Sequence, residues 1–324
     1  MPSSAWLGSV LPGPVPRETT ATCDRCVMCE PRSTGRGVAD LSFDSRVKCC
    51  TYHPELPNFL VGRILSDPDP ELARGREAVE SKLRAEVGVG PLGIHPPPEY
   101  LELFHQSADG FGRKIELRCP YYVVESGRCG IWRHRTGVCS TWFCKHDRGA
   151  VGARFWAALG SLLLEVERRV AHWCAAELVA GMPPPADPWG PWRGRAAEFY
   201  RECARRVEPL GWDDIVRICG PSVEDLARAA VEAFRQMESR EVPDALGRGS
   251  FEVVARGPDR VRLRSYNPFD PIDLPAWVLE AVDRFDGGPS GDALARIARE
   301  MGVWMPSTLA RTLCDFEILV PAQE

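Results

Sequence analysis

The sequence predicts a mainly helical protein with an irregular, cysteine-rich N-terminal domain and a small α+β unit at the C-terminus. Nine of the 13 cysteines fall between Cys23 and Cys144, in a stretch interrupted by the proline-rich loops PELP, DPDP and HPPP. From Gly152 onward, apolar residues recur at the spacing of an amphipathic helix. Near residue 250 the pattern changes to the alternation typical of a hairpin.

Length and composition indicate a globular protein of two or three domains. The chain has 324 residues, and a domain takes roughly 150 residues. Hydrophobic residues make up 44% and charged residues 26% of the sequence, which excludes a disordered or fibrous chain. The net charge is −5 and basic residues are spread along the chain, so no nucleic-acid partner is expected.

We expect a cytoplasmic protein that does not contact a membrane. The first twenty residues lack a basic start and a continuous apolar run, so they do not form an export signal. The most apolar segment, 151–180, is broken by Glu165, Glu167, Arg168 and Arg169. In a reducing cytosol, closely spaced cysteines are more often metal ligands or catalytic thiols than disulfides.

Four regions are predicted along the chain. Residues 1–22 form a poorly structured lead-in, 23–150 a cysteine-cluster metal-binding domain, 151–245 a helical domain and 246–324 a winged-helix-like domain. Apolar spacing predicts helices over Glu71–Glu86, Glu99–Gln106, 152–180, Arg193–Val207, Trp212–Ile218 and Ser222–Ser239. Ser222 and Ser290 are expected to cap the helices that they begin.

The last region combines a hairpin with three helices. The runs Phe251–Ala255 and Arg260–Arg264 flank the turn sequence RGPD. Helices are predicted over Leu274–Phe285, Ser290–Met301 and Pro306–Cys314, followed by a closing strand over Phe316–Val320. A strand pair, three helices and a closing strand is the order of a small winged-helix unit.

The early cysteines have the spacing of metal ligands. Two residues between thiols form a tight turn that directs both sulfurs at one ion, and the CxxCxxC run repeats this spacing. An irregular domain also needs a further constraint, which bound metal supplies. The candidate metal ligands are Cys23, Cys26, Cys29, Cys49, Cys50, Cys119, Cys129, Cys139 and Cys144. For Cys174, Cys203, Cys219 and Cys314 ordinary packing is expected instead.

The spacing leaves the number and identity of the metal sites open. Nine thiols allow two four-cysteine sites with one spare thiol, or one multinuclear cluster, and both zinc and a 4Fe–4S cluster accept four thiolates. His53, His134 and His146 could each replace one of the cysteine ligands, but they are expected as neighbours of the ligands or hydrogen-bond donors to them, since the cysteines suffice. The basic residues Arg133, Arg135, Lys145 and Arg148 would either offset the negative charge of thiolates or form a solvated surface.

At these residues the chain resembles the YkgJ-like cysteine-cluster proteins. The matching features are the CxxCxxC run, the pair Cys49–Cys50 and the stretch CGIWRHRTGVCSTWFC from Cys129 to Cys144. The resemblance covers residues 23–148 and implies a zinc- or iron-chelating domain, with iron–sulfur the more frequent description and with distant similarity to flagellin lysine methylases. Two positions depart from the family pattern: Glu30 replaces a fourth cysteine, and Thr136 replaces a common proline.

Residues 250–321 resemble PqqD-like winged-helix domains. The signals are the hairpin, the helix that ends in Phe285-Asp286-Gly287 and the closing segment up to Val320. This resemblance implies that the unit holds a peptide along a strand edge. The last helix region carries Arg311 against Asp315 and Glu317, which disfavours DNA reading and leaves a protein or peptide partner as the expectation.

The sequence therefore predicts a cytoplasmic metal-binding protein that uses its cysteine cluster to hold an iron–sulfur centre or zinc and acts on or presents a peptide. Two alternatives stay open: a non-catalytic, zinc-stabilised interaction module and a metalloenzyme that modifies a peptide or protein. No Gly-rich phosphate loop, GxSxG or HExxH motif is present, so kinases, α/β-hydrolases and zincins have no support.

Overall fold

A computed structural model describes residues 6–23, 26–29, 42–107, 109–179 and 188–322. About half of the chain is helical and the rest includes small sheets, so the fold mixes α and β structure. Helices α1 to α12 are Leu7–Val10, Asn58–Ser66, Ala73–Ala85, Pro98–His105, Gly137–Thr141, Gly149–Val179, Ala196–Val207, Trp212–Cys219, Ser222–Glu238, Val278–Val282, Ser290–Met301 and Ser307–Asp315. Strands β1 to β11 are Leu56–Pro57, Val89–Gly90, Gly93–Ile94, Tyr122–Val123, Arg128–Cys129, Ala245–Arg248, Glu252–Arg256, Arg260–Arg264, Ile272–Pro275, Asp286–Pro289 and Leu319–Pro321.

Helix α6 is the centre of the larger of two hydrophobic cores. Its predicted apolar stripe, from Phe155 to Cys174, is buried against α7, α8 and α9. The helix is long and apolar enough to cross a membrane, but 61% of its most apolar window is buried inside the protein. Such burial is typical of the core helix of a soluble protein.

The larger core is formed by residues from Trp6 to Met237. The segment before Cys23 contributes Trp6, Leu7 and Leu11, and the ring of Trp6 stacks on Trp212 at 5.6 Å between centroids. The smaller core is formed by residues from Leu246 to Leu319. The C-terminal unit thus has apolar packing of its own.

Two three-stranded sheets lie in the C-terminal unit. Strand β6 pairs antiparallel with β10 and β11, and β8 lies between β7 and β9. The predicted hairpin is β7–β8, in which Val253 pairs with Leu263 and the register shifts before Ala255. In the N-terminal half, β1, β3 and β2 form a small sheet, and β4 pairs with β5.

Predictions of two kinds are wrong: where an element begins and which residue caps a helix. The closing strand, predicted over Phe316–Val320, is β11, which begins at Leu319. A helix was predicted to begin at Leu274, but Leu274 and Pro275 belong to strand β9, and the short helix α10 begins at Val278. The reason is that Ile272 and Leu274 pair with β8. Ser222 and Ser290 are the first residues of α9 and α11, and neither helix has a side-chain cap. A proline precedes each serine and occupies the capping position itself.

Candidate metal centre

The backbone brings the cysteine-bearing segments to one place. The amide of Cys119 donates a hydrogen bond to the carbonyl oxygen of Cys50 at 2.7 Å. The Lys48 ammonium group donates to the carbonyl oxygens of Cys23 and Gly127, each at 2.7 Å. These contacts join the first cysteine run, the Cys49–Cys50 pair and the β4–β5 hairpin, although the segments are far apart in sequence.

Helix α3 fixes the position of the β4–β5 hairpin through a close backbone contact. A Cβ atom placed on Gly75 would lie 2.0 Å from the carbonyl oxygen of Gly130, so this position accepts only glycine without displacement of the chain. Gly130 directly follows Cys129 at the end of β5. The helix therefore sets how far Cys129 extends toward the other thiols.

The guanidinium group of Arg135 interacts electrostatically with Cys23, Cys49, Cys129 and Cys139. The charge of Arg135 lowers the pKa values of Cys23, Cys129 and Cys139, in each case against a larger rise caused by burial. Cys129 interacts electrostatically with Cys139 and Cys23, and Cys119 interacts with Cys139 and Cys129. We call Cys23, Cys129 and Cys139, together with Cys119, which interacts with the last two, the Arg135 group.

A second set of thiols lies on the side of Tyr122. The pKa of the Tyr122 phenol is raised to about 12 by burial and then by Cys50, Cys29 and Cys26, with Cys49 also contributing. Cys29 shares a hydrogen bond with Cys26, and Cys144 interacts electrostatically with Cys26. Cys26, Cys29, Cys50 and Cys144 form the Tyr122 group.

Cys49 lies between the two groups. Electrostatic interactions connect its thiol with Cys23 and Cys139 on one side and with Cys144 on the other. A hydrogen bond with Cys50, followed by burial, raises the pKa of Cys49 well above its ordinary value. All nine candidate cysteines therefore belong to one neighbourhood of thiols.

Burial is the main reason why most of these thiols hold their protons. It raises the pKa of Cys23 and Cys139 to about 11 and that of Cys29, Cys129 and Cys144 to about 12. Among the residues that the structure describes, no three Cys, His, Asp or Glu side chains are arranged to hold an ion. The thiols are neighbours, and metal binding would require them to lose protons and move closer together.

Two of the three histidines near the cysteines form polar contacts with other residues. The Nε2 atom of His134 lies 2.8 Å from a carboxylate oxygen of Asp67, and the Nδ1 atom of His146 lies 3.1 Å from the Tyr266 hydroxyl. His53 is buried, and its Nε2 atom has no hydrogen-bond partner among the described residues. Burial lowers the pKa of His53 to about 3, so the ring is neutral at physiological pH.

The predicted basic residues have different roles. Arg135 lies 3.6 Å from the ring centroid of Trp132 and faces the thiols, whereas Arg133 pairs with Asp69 at 2.6 Å. Arg148 pairs with Asp315 at 2.6 Å. Our prediction did not include Lys48, whose position directly before the Cys49–Cys50 pair could have indicated it.

The C-terminal unit forms one wall of the thiol neighbourhood. The ring of Phe269 packs against Phe43, Phe111 and Trp142, with centroid distances of 5.5, 5.8 and 6.4 Å. Lys145, the residue after Cys144, donates a hydrogen bond to the Phe269 carbonyl oxygen at 2.9 Å. The loop around Phe269 therefore covers the end of the cysteine-bearing segment.

Comparison of the chain with protein-family models, with curated proteins and with solved structures found no match. Any function must therefore be inferred from the residues and their geometry.

Proposed function

We propose that this chain is a cytoplasmic metal-binding protein that holds an iron–sulfur centre or zinc on its nine clustered thiols. The observation that carries the proposal is the convergence of separate segments, which places eight of the nine candidate cysteines beside a thiol from elsewhere in the chain, with Cys50 next to Cys49 and to the backbone of Cys119. Apolar packing alone does not require nine thiols in one place.

The side chains around the thiols fit this role. Thiolates are soft ligands that bind zinc and iron–sulfur clusters, and four of them leave net negative charge on the site. Arg135 and Lys48 supply positive charge next to Cys23, and each also acts on other thiols. Bound metal would replace the protons that burial now retains and would hold together a segment that has little regular structure.

The arrangement of the thiols allows two four-thiolate sites. The Arg135 group and the Tyr122 group each contain four cysteines, and Cys49 interacts with members of both. The resemblance to YkgJ-like proteins favours iron–sulfur at these positions. Under this assignment, Cys49 is the spare thiol between the sites.

Anaerobic purification followed by metal and sulfide analysis tests the proposal. We expect either iron with equimolar inorganic sulfide and a brown colour, or stoichiometric zinc without colour. Cys129→Ala should lower the metal content, whereas Cys219→Ala, a buried thiol outside both groups, should leave it unchanged. Protein that retains its fold but binds neither metal would contradict the proposal.

The same preparation separates an enzyme from an interaction module. A cluster with a measurable reduction potential, or a metal with an exchangeable ligand, supports a metalloenzyme that modifies a peptide or protein. Zinc that is inert to substrates, together with unfolding of the cysteine region on chelation, supports the non-catalytic module.

We further propose that the winged-helix-like C-terminal unit binds a peptide along β7. Strand β7 lies at an edge of its sheet, and within the described ranges it pairs only with β8. An unpaired edge presents backbone groups to which an extended peptide can add as a strand. Amide hydrogen exchange, measured with and without a pool of short unstructured peptides, tests this proposal. The amides of Val254 and its neighbours should exchange more slowly when the peptides are present, and unchanged exchange rates would contradict the proposal.

A further inference from the structure

A cavity lies between helices α2, α6 and α7. Its volume is about 620 Å³, within the range of small-molecule sites. Much of the wall is apolar and includes Phe59, Leu163, Val166 and Ile215. A cavity with such walls suits the hydrocarbon part of a ligand.

Among the described residues, two arginines that line the cavity have no hydrogen-bonded ionic partner. The side chains of Arg63 on α2 and Arg201 on α7 make no hydrogen bond and no ion pair within 4.0 Å in those parts of the chain. The Arg63 guanidinium group lies over the Phe59 ring at 5.6 Å, and Arg201 interacts electrostatically with Glu198. Burial lowers the pKa of Arg63, and the nearest opposing attractions come from Glu208 and Glu167. A desolvated guanidinium group without a partner is costly unless something pairs with it.

The crossing of α2 and α7 explains why the two arginines share this cavity. A Cβ atom on Gly62 would lie 1.8 Å from the carbonyl oxygen of Tyr200 and 2.9 Å from the Cβ atom of Ala204. The helix backbones therefore touch at Gly62 and Tyr200. Arg63 and Arg201, each the next residue along its helix, are held at the same crossing.

The other titratable groups at the cavity add no net positive charge. Arg205 pairs with Glu202 at 2.8 Å, and buried Glu167 keeps its proton. His134 lies 2.8 Å from Asp67, but burial lowers the pKa of His134, so its ring is neutral and the Asp67 carboxylate keeps its charge. A singly charged head group fits between Arg63 and Arg201, since a dianion would be repelled more strongly by the carboxylates of Asp67 and Glu208.

From this balance we infer that the cavity binds an organic monoanion, with its carboxylate between Arg63 and Arg201 and its hydrocarbon body against α6. Guanidinium groups recognise carboxylates through paired, charge-assisted hydrogen bonds. His134 gives the cavity a wall in common with the cysteine-bearing segment, since this residue lies between Cys129 and Cys139. A ligand in the cavity would thus lie next to the candidate metal centre.

Isothermal titration calorimetry of the full chain, as purified with its metal, tests this inference with three probes that share a hydrocarbon body. Decanoate should bind with one-to-one stoichiometry, whereas decanol and decyl phosphate should bind more weakly by about tenfold or more. Equal binding of decanol would show that the arginines contribute nothing and would overturn the inference. Tighter binding of decyl phosphate would overturn the assignment of a monoanion.

Matched variants locate the binding site. Arg63→Gln and Arg201→Gln should each weaken decanoate binding by about tenfold or more, because each removes a charge-assisted contact. Arg217→Gln, on the exposed face of α8, should bind like the unchanged protein. If Arg63→Gln fails to fold, Arg201→Gln carries the test alone. Unchanged affinity in the folded arginine variants, or no binding of decanoate to the unchanged protein, would refute the inference.

Discussion

Replacement of Glu167 by Gln should remove a pH-dependent loss of stability. Glu167 lies on α6, is 8% exposed and accepts a hydrogen bond from the Gly137 amide at 2.7 Å. Burial raises the pKa of its carboxyl group from 4.5 to about 8, although the Gly137 amide and Arg63 act in the opposite direction. The folded protein therefore keeps this proton at pH values where the unfolded chain has lost it.

The direction of the effect follows from this difference in proton binding. The Glu167 contribution to the free energy of unfolding is fully present below the unfolded-state pKa and falls as the pH rises toward the folded-state pKa. The gap between 4.5 and about 8 corresponds to about 5 kcal/mol at about 1.4 kcal/mol per pH unit. About 3–4 kcal/mol of this should be lost between about pH 5 and about pH 8.

Urea unfolding of the unchanged protein and Glu167→Gln at several pH values measures the effect. The free energy of unfolding of the variant, relative to the unchanged protein, should increase by about 3–4 kcal/mol across that range. Other titrating groups, including His53, contribute equally to both proteins and cancel in the difference. Glu232→Gln, at an exposed position on α9, should show no such trend. Parallel curves for Glu167→Gln and the unchanged protein would refute the reasoning.

Two further substitutions test the packing. Gly62→Ala should lower the free energy of unfolding, measured by chemical denaturation, by about 2–3 kcal/mol or more, because its Cβ atom would meet a carbonyl oxygen of α7. Gly291→Ala is the control, because nothing lies within 4 Å of the added Cβ atom, and its free energy of unfolding should change by no more than about 1 kcal/mol. Arg148→Met should lower the free energy of unfolding, measured by thermal denaturation, by about 2–4 kcal/mol, because buried Asp315 loses one of its two guanidinium partners. Arg228→Met, which breaks an exposed pair, should cost less than about 1 kcal/mol, and an equal loss in both arginine variants would contradict the role given to burial.

The local patterns in the sequence predicted much of the secondary structure. The apolar stripe from Phe155 to Cys174 lies on the buried face of α6. In the predicted hairpin, β8 has the predicted bounds and β7 begins one residue later than predicted, at Glu252. Helix α2 was missed because its sequence, NFLVGRILS, is nearly all buried and so lacks the polar face on which helical periodicity depends. Pro275 was predicted to lie inside a helix, but it is the last residue of strand β9. That strand forms by pairing with β8, and the helical pattern of the segment does not reveal this pairing.

The candidate site was only partly accessible to sequence reasoning. CxxC spacing identified the thiols, but their division between Arg135 and Tyr122 depends on contacts among segments up to a hundred residues apart. Arg63 and Arg201 are brought to one cavity by a single helix crossing, and no local pattern in the sequence indicates this. The spacing of residues in a sequence can reveal the chemical type of a site, whereas tertiary packing decides which residues belong to that site.

The contact between Phe269 and the cysteine-bearing segment has a practical consequence for dissecting this protein. A chain shortened to end at Glu241 would keep all nine early thiols but would expose Phe43, Phe111 and Trp142 to water. It would also free Lys145 from its carbonyl partner. Truncation would thus change the solvation of the cysteines themselves, and spectra from such a fragment would not represent the intact molecule.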